Sequence, residues 1–219
     1  MTIRDWVVGK LRNEGGYDVR PEGDHGLAVH RGVRPRAQVY SADSSDTEPF
    51  TPDHLKQAID EMPGVQFVVI VKRRVANETY TIADEEGIAV AGFNALKSAL
   101  ANDFDISRHR SKEQGFVQSR LDGNAQIQTW RRRGDNAYEV TLKGGRGSIN
   151  IVTIKHYELT SDDVYELLAQ HDNIEVDAIV TTNSSCQGFA PSTLAAVGDA
   201  GTRIMRFRDF LDAVREPWE

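Results

Sequence analysis

The segment from residue 106 to residue 146 is rich in basic side chains, which can contact phosphate groups. It contains nine basic and four acidic residues, whereas the whole chain has a formal net charge of −7. Trp130 stands directly before three consecutive arginines and adds a flat surface on which a base can stack. Because an acidic chain does not attract a polyanion as a whole, DNA contact requires a local basic surface of this kind. The predicted DNA contacts are Arg131, Arg132, Arg133, Lys143 and Arg146. The alternative is a solvated hairpin whose arginines pair with acidic residues of the other half of the chain.

Other side chains with reactive groups give no comparable pattern. Cys186 is the single cysteine, which excludes an intrachain disulfide and a cysteine-based metal site. It has no basic partner nearby in the sequence, so we interpret it as a free thiol without a catalytic role. The glycine-rich run at 144–147 lacks the Gly-Lys-Ser/Thr ending of a P-loop and does not open a helix. A hairpin turn explains this run better.

The elements that position these residues follow the same order in both halves of the chain. In the second half, strand-like runs at 125–133, 138–143 and 149–157 predict an antiparallel meander. A helix then begins after Thr160, and an apolar strand follows at 176–181. The first half has three strand-like runs of its own, then a helix that opens with a Thr-Pro pair, and then a continuous apolar strand. A strand that is apolar throughout is typical of one buried on both faces.

The two halves also match at the level of individual residues. Residues 51–72 align without a gap with residues 160–181, and a second match follows between 87–99 and 201–213. The identities in the first match are Thr51, Asp53, Ile70 and Val71, and those in the second are Gly87, Phe93 and Ala99. The alternative is that any two strand–helix–strand units share a similar period. We predict an α/β protein of two tandem units, residues 1–103 and 104–219, each with a mixed sheet flanked by helices.

Four segments between Tyr138 and Val214 carry a resemblance to a known family: YEVTLKGGRGSINIVTIKHY, LTSDDVYELL, DAIVTTNSSCQGFAPSTLAAV and GTRIMRFRDFLDAV. They resemble the Mrr-type branch of the restriction-endonuclease-like, or PD-(D/E)xK, superfamily. The segments GLAVHRG and PRAQVYS of the first half resemble the same unit more weakly. In that family a carboxylate on the second strand and an acid-x-Lys pair on the third bind Mg²⁺, which activates water for phosphodiester hydrolysis.

The resemblance assigns a partial catalytic site to the second half. Glu139 falls at the first acid and Lys155 at the lysine, but Thr153 stands where the second acid is expected. Some family members supply this carboxylate from the following helix, where Glu166 or Asp163 lies here. The implied catalytic set is therefore Glu139, Lys155 and Glu166, with Mg²⁺ on Glu139 and Glu166. Against this, acids at such positions more often belong to solvated strand and helix faces. Lys155 is also typical of a residue that protects a strand edge or pairs with Glu139.

The first half keeps less of the family pattern. Ala28 stands at the first acid, Gln38 at the intervening position and Tyr40 at the lysine, which implies an inert copy. The resulting hypothesis is a restriction-endonuclease-like DNA-binding protein with a degraded metal site and no catalysis. One alternative is an active Mg²⁺-dependent endonuclease of the Mrr type. The other is a protein-interaction module that does not contact DNA.

Composition limits the environment in which the chain works. Apolar residues make up 39% of the sequence, and the single cysteine fits a reducing compartment. The first residues carry charges among the apolar positions and do not read as a signal peptide. No stretch approaches the ~18 apolar residues that cross a bilayer. We expect a cytoplasmic protein without membrane contact, and the sequence leaves its protein partners and oligomeric state open.

Overall fold

The computed structural model describes residues 2–218 and divides between Ser111 and Lys112 into two compact units. This boundary lies further along the chain than the one expected at 103/104. The reason is the segment after residue 103, whose short 3-10 helix Ile106–Arg108 belongs to the first unit. Ile106 is fully buried in the core of that unit, so the segment packs as part of it.

The first unit is an α/β structure around one five-stranded mixed sheet. Strands β1, β2 and β3 are antiparallel neighbours, and β4 and β5 continue the sheet in parallel with β3, in the order β1-β2-β3-β4-β5. Helices cross between the parallel strands, as parallel connections require. Its elements are α1 Ile3–Gly15, β1 Asp18–Glu22, β2 Gly26–Arg31, β3 Arg34–Ser41, α2 Pro52–Glu61, β4 Phe67–Ile70, α3 Asn77–Glu85, β5 Ala89–Gly92 and α4 Phe93–Asn102.

The second unit has the same order of elements and the same pairing of strands. Strands β6, β7 and β8 form the antiparallel meander, and β9 and β10 add parallel strands beside β8. The expected α/β class with mixed sheets flanked by helices is therefore confirmed. Its elements are α5 Lys112–Asp122, β6 Ile127–Arg132, β7 Ala137–Leu142, β8 Ser148–Ile154, α6 Ser161–Gln170, β9 Ala178–Thr181, α7 Pro191–Asp199, β10 Arg203–Arg206 and α8 Phe207–Ala213.

Local sequence explains where the central helices and strands begin. The backbone N–H of Thr51 donates to His54 Nδ1 at 3.2 Å, and that of Thr160 donates to Asp163 Oδ2 at 2.9 Å. Each bond satisfies a donor at the first turn of α2 or α6, as a capping box does. All four residues of β4 and all four of β9 are buried, because helices cover both faces of each sheet.

The ungapped match between the halves holds over α2 and α6 but not over the strands that follow. Phe67 begins β4 and pairs with Ala89, whereas Ala178 begins β9 and pairs with Arg203. Phe67 therefore corresponds to Ala178, although the ungapped alignment placed it on Val176. The loop after α6 is longer by two residues, so the identities at 70 and 71 do not mark equivalent positions. A shift by two keeps every side chain on the same face of the strand.

Hydrogen bonds outside the regular ladders recur at corresponding places in the two units. The Ser41 N–H donates to the His25 carbonyl at 2.9 Å, and the Thr153 N–H donates to the Asn136 carbonyl at 2.8 Å. His25 therefore corresponds to Asn136, and Ser41 to Thr153.

Two further pairs show the same recurrence. The Gln38 N–H donates to the side chain of Gln66 at 3.1 Å, and the Asn150 N–H donates to that of Asp177 at 2.7 Å. The buried hydroxyl of Thr79 donates to the Phe50 carbonyl at 3.1 Å. In the second unit the buried hydroxyl of Thr193 donates to the Leu159 carbonyl at 2.6 Å. All four bonds lie at equivalent points of the two folds.

Helices that would suit a bilayer are not found among residues 2–218, since none combines sufficient length with sufficient apolar character.

Candidate functional site

Glu139 lies in the middle of β7 and is bound by two arginines. Arg131 donates to its Oε2 from Nε at 2.9 Å and from Nη2 at 2.7 Å, and Arg133 Nη1 donates to the same oxygen at 3.2 Å. The Glu139 side chain is 22% exposed. A half-buried carboxylate that is already neutralised by two guanidinium groups is arranged as an ion pair, whereas the only side-chain partner that the sequence suggested for Glu139 was Lys155.

The alternation of side chains along β7 and β8 separates Glu139 from Thr153. Tyr138 and Val140 of β7 pack in the same core cluster as Ile149 and Ile151 of β8. Glu139 therefore points to the opposite face of the sheet. Thr153 lies two residues after Ile151 and so points to the same face as Ile151. The Thr153 hydroxyl donates to the Asn136 carbonyl at 3.2 Å.

Lys155 does not join Glu139 on a shared strand face. Strand β8 ends at Ile154, one residue before Lys155, and the lysine side chain is exposed. The residues of β8 that do share the face of Glu139 are Ser148, Asn150, Val152 and Ile154. None of them is an acid or a lysine, so β8 supplies no acid-x-Lys pair in register with Glu139.

The helix α6 supplies no clear replacement for the missing acid. Glu166 is exposed and accepts a hydrogen bond from Gln170 Nε2 at 3.3 Å, one turn further along the helix. The Asp163 carboxylate accepts from the backbone and hydroxyl of Thr160, bonds that lower the pKa of Asp163. Within residues 2–218 no three His, Cys, Asp or Glu side chains cluster in a way suited to hold a metal ion. Each of the three carboxylates is instead bound by protein donors: Glu139 by arginines, Asp163 by Thr160 and Glu166 by Gln170.

The five basic residues predicted to contact DNA have different environments. Arg131 and Arg133 bind Glu139 as described, and Arg132 is 5% exposed. Arg146 donates to the carbonyl of Val214 at 2.8 Å, beyond the end of α8, and to Gln126 Oε1 at 3.0 Å. Lys143 is exposed at the turn after β7. Most of the arginines in this region are therefore buried or bound to other groups of the second unit.

Comparison with known proteins identifies no relative of the chain. No family model matches the sequence, and no curated protein and no solved structure is significantly similar to the chain.

The first unit contains a polar cluster that the sequence did not predict. It lies beside the positions that the resemblance matched to catalytic residues. Ala28 pairs with Gln38 across β2 and β3, and Tyr40 lies two residues further along β3. The Tyr40 hydroxyl donates to Glu61 Oε2 at 3.1 Å, and burial together with this carboxylate raises the pKa of Tyr40. The rings of His25 and Tyr40 are stacked with centroids 5.1 Å apart. Tyr40 is thus a buried, neutral hydrogen-bond donor at the position where the sequence resemblance implied a lysine.

His25 connects the two carboxylates of this cluster. Its Nδ1 lies 3.0 Å from Glu61 Oε2, and its Nε2 lies 3.2 Å from Asp43 Oδ2. Because the two ring nitrogens point in opposite directions, the imidazole bridges the acids and cannot join them around one ion. The cluster is built from three separate elements: a turn with His25, a loop with Asp43 and the end of α2 with Glu61. The spacing of these residues in the sequence therefore does not predict that they are in contact.

In the second unit a buried histidine contacts Asn136, the residue that corresponds to His25. His171 follows α6, is 3% exposed, and has its Nε2 2.8 Å from Asn136 Oδ1. Asn136 Nδ2 donates to the Thr153 carbonyl at 2.6 Å, which fixes Oδ1 as the acceptor toward His171. Burial lowers the pKa of His171. We conclude that His171 is neutral with its proton on Nε2, in a structural role.

Proposed function

We propose that the chain is a duplicated restriction-endonuclease-like protein that binds DNA and does not cut it. The observation that carries the proposal is the face of the sheet around Glu139. There, β8 presents Ser148, Asn150, Val152 and Ile154 where a nuclease of this family has its acid and lysine. The proposal keeps the family resemblance for the fold and drops the catalytic set Glu139, Lys155 and Glu166.

The order and pairing of the elements support the family assignment. Each unit has a helix, three antiparallel strands, and then parallel strands joined by helices, which is the order shared by restriction-endonuclease-like folds. Fold-level similarity of this kind argues by analogy, so it supports the architecture more strongly than the activity.

Recurring side-chain bonds support a duplication. The side-chain acceptors of Gln66 and Asp177 and the buried hydroxyls of Thr79 and Thr193 make the same bonds in the two units. A shared strand–helix–strand period does not explain these two kinds of hydrogen bond, because each kind depends on a particular polar side chain at one position. We therefore favour tandem duplication over a chance match.

Electrostatics support loss of catalysis in the second unit. The Glu139 carboxylate has two guanidinium partners within 3.2 Å. A Mg²⁺ ion would have to compete with both for the same oxygen and would find no second carboxylate on β8. Activity as an Mrr-type endonuclease would therefore need the two arginine side chains to release Glu139 and a second carboxylate to come from outside β8.

A protein-interaction module is the second candidate function. Tyr157 and Tyr165 expose 58% and 51% of their surface, and Leu194 of α7 exposes 50%. Large exposed apolar side chains are common at contact surfaces with other proteins. This candidate predicts a partner but no affinity for DNA.

The binding of DNA at two salt concentrations separates these candidates. We expect the protein to bind a labelled duplex of about 30 base pairs at low salt, with an affinity that falls steeply as salt rises. The same duplex should be recovered intact after incubation with Mg²⁺ or Mn²⁺. Absence of binding at low salt would remove the DNA role and leave the protein-interaction module.

A further inference from the structure

A groove lies between α5 and α8 on the second unit. Its volume is about 520 Å³, within the usual range for ligand sites. Phe116, Arg120 and Asn124 line it from α5 and the turn that follows, and Arg208, Asp212 and Arg215 line it from α8 and its C-terminal turn. Three arginines and a single aspartate give the groove an excess of two positive charges. All six residues belong to the second unit.

The arginines of this groove remain accessible to a ligand. Arg120, Arg208 and Arg215 are exposed. The one carboxylate, Asp212 Oδ1, lies 3.4 Å from Arg215 Nη2, and the two side chains are 54% and 69% exposed. An exposed pair at that distance is a weak interaction. The guanidinium of Arg120 lies over the Phe116 ring, 5.6 Å from its centroid, which holds the group in place without consuming its hydrogen-bond donors.

The first unit contains the same helix pair, with corresponding aromatic residues. Trp6 packs on Phe93 with ring centroids 4.9 Å apart, as Phe116 packs on Phe207 at 5.5 Å. Lys10 Nζ lies 5.9 Å from the Trp6 ring, in the position that Arg120 takes over Phe116. The two helix pairs therefore form a matched comparison within one chain.

The charges of the two helix pairs are balanced differently. In the first unit Glu14 accepts hydrogen bonds from Lys10 at 2.6 Å and from Lys97 at 2.9 Å, and these two lysines lower the pKa of Glu14 to about 2. Counting along the helices from Trp6 and Phe116, the residue that corresponds to Glu14 is Asn124. The Asn124 amide donates to the Leu211 carbonyl at 3.3 Å. Leu211 stands at the position of Lys97, and the second helix pair has Arg208, Asp212 and Arg215 where the first has uncharged residues, so its charge balance is +2 against +1.

We infer that this groove binds backbone phosphates of DNA, through Arg120, Arg208 and Arg215. The inference rests on the proposed DNA-binding function and names its contact surface. Guanidinium groups suit phosphate because they donate two parallel hydrogen bonds to its oxygens. The alternative surface, around Arg131 to Arg133 and Arg146, has most of its charge bound within the second unit. The exposed arginines of the groove are therefore better placed to take part in external contacts.

Fluorescence anisotropy with a labelled duplex over a range of salt concentrations tests the inference. The variant carries Arg120→Ala, Arg208→Ala and Arg215→Ala together. The matched control carries Arg20→Ala, Lys56→Ala and Arg108→Ala, which removes the same charge from exposed positions of the first unit. We expect the groove variant to bind about tenfold or more weakly at low salt, and its log–log salt slope to fall by about 2 to 3. The control should change the slope by less than one.

A second variant keeps all three arginines and restores the anion of the first unit. Asn124→Glu should weaken DNA binding several-fold more than Asn124→Gln, which changes the length of the same side chain without adding a charge. Both variants change a half-buried side chain that donates to the Leu211 carbonyl, so a circular-dichroism melt checks that each variant is folded. Inorganic phosphate and a mononucleotide, added as competitors, distinguish a backbone site from a small-molecule phosphate site.

Each outcome bears on a different statement. If wild type binds DNA and the groove variant binds as well as the control does, the groove inference is wrong and the DNA-binding function stands. If wild type fails to bind DNA at low salt, both are wrong. If the mononucleotide binds while the duplex does not, the groove takes a small phosphate ligand and the backbone inference is overturned.

Discussion

Arg131 and Glu139 form an ion pair across β6 and β7. Two nitrogens of the guanidinium donate to a single carboxylate oxygen, at 2.9 and 2.7 Å. The two residues are direct partners in the strand register. This contact bears directly on whether the second unit can bind a metal, because it occupies Glu139, the acid to which the sequence resemblance assigned Mg²⁺. It also offsets the charge of Arg131, although the arginine side chain stays 56% exposed.

A double-mutant cycle measures this contact. Arg131→Ala and Glu139→Ala should each lower the free energy of unfolding, by about 0.5–1 kcal/mol for the arginine and slightly more for the acid, whose loss leaves two arginines facing each other. The coupling energy should be about 0.5–1 kcal/mol in urea denaturation. Additive effects of the two changes would show that the pair does not form in solution.

The two buried threonines offer a test of the correspondence between the units. Thr193→Val leaves the buried Leu159 carbonyl without its hydroxyl donor and should cost about 1–2 kcal/mol of unfolding free energy. Thr79→Val should cost about 1 kcal/mol, because the Phe50 carbonyl keeps the Ala76 N–H as a donor at 2.9 Å. Thr129→Val, at an exposed position of β6, serves as the control and should change stability by less than about 0.5 kcal/mol. If only one of the two buried positions is sensitive, the bonds are not equivalent.

His171 predicts a decline of stability in mild acid. Its pKa is lowered in the folded protein by burial, so below about pH 6.5 the unfolded chain binds a proton that the folded chain does not. The unfolding free energy should therefore fall as the pH decreases from about 7 to about 5. His171→Gln retains a donor toward Asn136 and should flatten this part of the profile. A profile of unchanged steepness in that variant would assign the acid sensitivity to other groups.

The sequence predicted the kinds of elements well, because strand and helix periods, the Thr caps and the glycine turns act locally. It could not predict which face Glu139 would share with β8, since that depends on the register of β7 against β8 and on strand β8 ending at Ile154. A count of charges likewise treats Arg132 and Arg131 alike. Strand alternation buries the first and leaves the second exposed to pair with Glu139. The cluster of His25, Asp43 and Glu61 was missed because three separate elements bring it together.

The integrity of plasmid DNA that is held by the protein tests the central claim most directly. Supercoiled plasmid is incubated with saturating protein and Mg²⁺ or Mn²⁺, shown to be bound by its retarded mobility, and then freed of protein before a second gel. We predict that the recovered plasmid is still supercoiled, for wild type and for Lys155→Ala alike. Nicked or linear plasmid from wild type, absent with Lys155→Ala, would contradict the account and establish an active nuclease.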